Sequence, residues 1–115
     1  MAAPLIAAVI LFAALPTPVS VRITHNDLLG MWVTVAGDCS RGQHFFSHNG
    51  KYKQWCFDSI SEGEWFLNGA DKIILKHEPK TAGVEIITVV GVEQYSDHTV
   101  LDVHYQDGSR EKWMK

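Results

Sequence analysis

Three dipeptides, Asn49-Gly50, Asn68-Gly69 and Asp107-Gly108, constrain this chain more than any other feature of its sequence. Asn-Gly and Asp-Gly supply the positive φ angles that tight hairpin turns require. Gly37-Asp38, the stretch from Pro79 to Gly83, and Ser96-Asp97 add further breaks at close intervals. Between these breaks lie Met31–Ala36, Gln43–His48, Lys51–Asp58, Glu62–Leu67, Lys72–His77, Val84–Glu93, Thr99–Tyr105 and Ser109–Met114, all short and strand-like. Sequential strands joined by tight turns make an antiparallel meander, and closing the meander removes its exposed edges. The expected fold is all-β, an eight-stranded antiparallel up-and-down barrel.

The last hairpin can be placed in register from its side chains. With a three-residue loop Gln106-Asp107-Gly108 and Gly108 in the left-handed bulge position, Val103 faces Glu111 and Leu101 faces Trp113. The opposite face then pairs Asp102 with Lys112, a favourable cross-strand charge pair. A two-residue loop would mix the faces. The first register points Leu101, Val103, Tyr105 and Trp113 inward and leaves Glu111 on the inner face, at the barrel mouth. Ahead of the first strand, Thr24-His25-Asn26-Asp27 offers cap residues before Leu28-Leu29 and Gly30. That pattern suits a short N-terminal helical turn closing one end of the barrel.

The first charged residue is Arg22, and Leu5 to Leu15 is an unbroken apolar run. A spanning helix needs about 20 such residues, so the run is too short to be one. It fits the core of a secretory signal peptide, with Pro16 and Pro18 ending the helix. Residues 1–20 are accordingly read as a signal peptide and 21–115 as one barrel domain, exported to a periplasmic or extracellular space with no stable membrane span after cleavage. A domain of that size has a modest core and room for only a small internal cavity. In an oxidising compartment Cys39 and Cys56 are expected to pair, since no Cys-x-x-Cys or Cys/His cluster assigns them to redox chemistry or zinc. The net charge of −3 and the scattered Lys and Arg residues exclude a nucleic-acid binder, which needs a basic face.

Asp27-Leu28-Leu29-Gly30-Met31-Trp32 resembles the start of a lipocalin-like (calycin) barrel, in which a helical turn precedes a Gly-x-Trp on the first strand. The resemblance implies a structural plug formed by Gly30 and Trp32, with Arg110 of the last strand packing over the indole. It also implies carriage of a small apolar ligand, for which Leu101, Val103, Tyr105 and Glu111 are the candidate binding residues. The same opening, together with the length, the leader and the single cysteine pair, is similar to bacterial periplasmic inhibitors of secreted metalloproteases. Those insert an N-terminal tail into the protease, a role that would fall here to Val21–Asn26.

Catalytic and metal chemistry find little purchase in the sequence. His44 and His48 lie four apart, which on a strand separates them by about 13 Å, too far to share one ion. His25, His77, His98 and His104 have no ligand spacing and read as solvated or capping residues. Asp102, His104, Ser109 and Glu111 are accompanied by no nucleophile turn, paired-carboxylate motif or phosphate loop. Trp32, Trp55, Trp65 and Trp113, with Phe45, Phe46, Tyr52 and Tyr105, read as core. The expected function is thus a non-enzymatic exported binding protein without cofactor or metal. Its partner is either a small apolar molecule or an exported protein, the latter as a protease inhibitor or other immunity-type inhibitor. A cavity of roughly 300 Å³ or more inside the barrel would mark the carrier, and a filled core the protein-directed binder.

Overall fold

A computed structural model of the protein describes residues 21–37, 39 and 42–115, so the segment read as a signal peptide lies outside the described residues. The first element is one helical turn, α1 (His25–Leu28), closed by a capping box. Thr24 Oγ1 accepts from the Asp27 backbone N–H, and the Asp27 carboxylate accepts from the Thr24 N–H at 2.8 Å. The strands follow as β1 (Gly30–Ala36), β2 (Gln43–Phe46), β3 (Lys51–Cys56), β4 (Ser59–Asn68), β5 (Lys72–His77), β6 (Val84–Gln94), β7 (Thr99–Tyr105) and β8 (Arg110–Met114). Each pairs antiparallel with its neighbour, and β8 returns to β1, so the sheet is a closed barrel.

The β7–β8 hairpin has the expected register: Leu101 opposite Trp113, Val103 opposite Glu111, Asp102 opposite Lys112. Gly108 takes φ 89°, the left-handed conformation that a side chain would strain. One hairpin is not where the turn residues placed it. The segment expected to continue as a strand through Asp58 turns at Phe57-Asp58, with Cys56 opposite Ser59. Phe57 itself sits at φ 55°, and it is 82% exposed. No glycine or proline marks that reversal, whose turn-favouring residues are Asp58 and the following Ser59.

The two ends of the barrel are closed differently. At the end carrying α1, Ile23 donates its backbone N–H to Ala70 and buries its side chain with Leu28, Trp32 and Leu101. Trp32 Nε1 donates to the Leu28 carbonyl at 2.8 Å, which ties the indole to the helical turn. At the other end the β1–β2 connection is joined to the β3–β4 hairpin by the Cys39–Cys56 disulfide. Between the ends Phe46, Tyr52, Trp65, Ile73, Leu75, Ile87, Val89, Leu101, Val103 and Trp113 fill the interior, each almost wholly buried. Phe45 and Trp55, expected in the core, are on the outer face: alternation along β2 and β3 gives the inner positions to His44, Phe46, Tyr52 and Gln54.

Candidate functional site

The chemistry-bearing side chains gather inside the barrel, in the half away from α1. Two connected groups form there. In the first, β8 delivers Glu111, which is 8% exposed, toward Trp113 and Tyr105. Trp113 Nε1 donates to Glu111 Oε1 at 2.9 Å, and the Tyr105 hydroxyl donates to the same oxygen. His44 stacks on Trp113 at 4.2 Å between ring centroids, with Nε2 3.7 Å from Glu111 Oε1. The His44 ring is satisfied as a neutral group: Nδ1–H donates to Gln54 Oε1 at 3.2 Å, and Nε2 accepts from Thr34 Oγ1 at 2.9 Å. Burial holds the His44 pKa below the usual histidine value, and the nearby Glu111 carboxylate offsets only part of that.

The second group is Tyr52, His77 and Glu85. Tyr52, Gly63 and His77 are successive cross-strand neighbours on β3, β4 and β5. A Cβ on Gly63 would come 2.0 Å from the Lys76 carbonyl oxygen and 3.0 Å from the Tyr52 ring. The missing side chain therefore lets the Tyr52 hydroxyl reach across and donate to His77 Nδ1. His77 Nε2 in turn faces Glu85 Oε1 at 3.3 Å. Desolvation pushes the Glu85 carboxyl up from its usual value, His77 pulls it back, and Asp107 and Glu111 push it up again. The Tyr52 and Tyr105 phenols are both pushed well up, first by burial and then by adjacent carboxylates, so both remain donors.

Chemically, these are two separate sets of neutral donors, one ending on Glu111 and the other on Glu85. No buried side-chain N or O lacks a partner among the described residues. No group of three or more His, Cys, Asp or Glu there could hold a metal ion. No helix among them is long and apolar enough to cross a membrane.

Of the residues singled out in the sequence, Leu101, Val103, Tyr105 and Glu111 all project inward among the core side chains; Leu101 also borders a cleft at the α1 end, and Val103 and Glu111 border a groove of about 360 Å³ shared with the outward-facing Val90, His104 and Arg110. Gly30 and Trp32 are at the α1 end, with Trp32 buried over Leu28. Arg110 is not over Trp32. It opens β8 at the opposite end, opposite His104, exposed. Five residues of strand, about 16 Å, separate it from the chain position that reaches the indole. That position is Lys115, whose Nζ lies 4.8 Å from the Trp32 ring centroid and donates to the carbonyls of Asp27 and Leu29. The sequence offers His77 as a solvated or capping residue and His44 only as a metal partner of His48; both are instead turned into the barrel. Strict alternation on β2 and β5 was the signal that could have turned them inward. Val21–Asn26 is not a free tail, since Ile23 is buried, His25 stacks on Trp65 at 4.6 Å, and Asn26 is in α1. Comparison with known protein families, with curated proteins and with solved structures gives no significant match to this chain.

Proposed function

We propose that the protein is a non-enzymatic, exported barrel of lipocalin-like type that binds another protein, as an inhibitor or immunity-type partner binder does, rather than carrying a ligand inside. The filled interior supports the protein-directed reading over internal carriage. The observation that carries it is Phe57. At the first position of a two-residue hairpin, a φ near 55° suits glycine and, less well, asparagine or aspartate; for an aromatic residue the left-handed conformation costs roughly 1–2 kcal/mol. The phenyl ring recovers none of that by packing, because it is 82% exposed. An aromatic ring held out on a strained turn, with the adjacent Cys56 bonded to Cys39, has the character of a binding hot spot. The surface beside it is apolar as well. Ile60 is exposed, and the outer row Met114–Val33–Gln43–Trp55–Ile60 runs across β8, β1, β2, β3 and β4. The apolar leader and the Cys39–Cys56 bond support export.

The experiment is site-specific photo-crosslinking with a benzophenone amino acid at position 57, and at exposed position 68 in the opposite-end hairpin, in the exported fraction of the native source. A partner should crosslink saturably at 57 and not at 68. Unlabelled wild type should compete, and Phe57→Gly should compete at least about 30-fold less well, the loss expected for a truncated hot spot. Phe57→Gly should leave the melting temperature unchanged or raised, since turn relief offsets the added chain entropy. Equal crosslinking at both positions, or equal competition by Phe57→Gly, sinks the reading.

A further inference from the structure

We propose that a cleft at the α1 end is a binding site for a small apolar monocarboxylate, an aryl or branched aliphatic acid of about ten non-hydrogen atoms. It has a volume of about 240 Å³ and lies outside the sealed interior, between the N-terminal segment and the ends of β6 to β8. Its floor is Ile23, Leu28, Trp32 and Leu101, all buried, and Val92 forms an apolar wall. A dry apolar cavity of roughly 150 Å³ accepts benzene, so this space suits one ring or a branched chain with a polar head.

The rim sets the sign of that head. Among the side chains that line the cleft, Arg22 and Lys115 are cationic and Asp27 is the one carboxylate. Asp27 is occupied by the capping box, where it accepts from the Thr24 N–H. Arg22 forms no side-chain hydrogen bond or ion pair among the described residues. Lys115 is held in place: its backbone exchanges hydrogen bonds with Thr99 at 2.8 and 3.0 Å, and its ammonium lies over Trp32. Two of the three ammonium hydrogens go to the Asp27 and Leu29 carbonyls, leaving one for a ligand. A planar carboxylate matches the guanidinium fork of Arg22 and that remaining donor, while its apolar body covers Leu101 and Trp32. The barrel binds its small ligand on the outer side of the Trp32 plug, at the end opposite Phe57.

The test is titration of the purified protein with 3-phenylpropionate and with 3-phenylpropionamide, an uncharged near-isostere. The reporter is the indole N–H resonance of Trp32, whose hydrogen bond to Leu28 roofs the floor of the cleft, with the Trp113 indole as internal control. The acid should shift Trp32 saturably with a Kd on the order of 0.1 mM, typical of so small a ligand. It should bind about tenfold or more tighter than the amide. In Arg22→Gln that preference should fall to within about threefold, and Val92→Trp, which fills the cleft, should abolish the shift while the melting temperature holds. Equal binding of acid and amide, no saturable Trp32 shift at 5 mM ligand (about 50 times the expected Kd), or undiminished binding to Val92→Trp would each overturn the assignment.

Discussion

The two ends of this barrel seal the same tube by opposite means. At the α1 end, Trp32 is pressed between the helical turn and the floor of the core, with Lys115 laid over its face. At the other end, His44, Glu111, Tyr105, Tyr52, His77 and Glu85 lie inside the barrel, and hydrogen bonds and ion pairs take the place of part of the apolar fill. A plug of dispersion and hydrophobic contact is indifferent to pH and is lost only by removing volume. A polar network holds only while each donor keeps its acceptor, so it responds to single atoms and to protons. The disulfide sits at the polar end.

The largest effect that can break this contrast is Trp32→Ala. It should cost about 3–5 kcal/mol by leaving a cavity under α1, read as a drop in thermal and urea midpoints. A melting temperature within a degree or two of wild type would show that Trp32 is no plug. Next is reduction of Cys39–Cys56, which span 17 residues. Its chain-entropy value is about 3 kcal/mol, and hydrogen exchange should accelerate in β1–β2 and β3–β4 before it does in α1. Uniform acceleration would mean that the bond braces the whole barrel and not one end.

Glu111→Leu should cost about 2–3 kcal/mol despite its added apolar surface, because Trp113 Nε1–H and the Tyr105 hydroxyl lose their acceptor. Glu111→Gln, which keeps an acceptor oxygen, should recover most of it. If the leucine variant is as stable as wild type, the network is ornamental to the fold.

The smallest effect is that of protons. His44 is held neutral, so below about pH 6.5 the unfolded chain takes up a proton that the folded protein resists, and stability falls as pH falls. Glu85 acts in the opposite sense. Its raised pKa means the folded state keeps a proton that the unfolded chain releases, so this contribution is present in acid and lost as pH rises above its usual range. Urea midpoints between pH 4 and 8 should therefore gain at neutral pH in Glu85→Gln, while His44→Gln should flatten the loss between pH 6.5 and 5. Identical profiles in wild type and His44→Gln would place that acid sensitivity elsewhere.

The sequence by itself determined what short-range rules govern. Glycine turns separated the strands, the Thr24–Asp27 spacing formed the cap, and alternation through Leu101, Val103, Glu111 and Trp113 set the last register. Each of those choices is made among residues a few positions apart, where one register or one turn type is plainly cheaper than the next. Only the tertiary structure decided which inward side chains meet. Tyr52 finds His77 25 residues away across a glycine, and Lys115 reaches the carbonyls of Leu29 and Asp27, 86 and 88 residues back. Those pairings depend on the stagger of closed strands, to which no single strand's pattern is sensitive. Phe57 shows the same division. Local propensity argues against a phenylalanine there, and the turn forms because Cys56 and Ser59 are already paired in the ladder on either side of it.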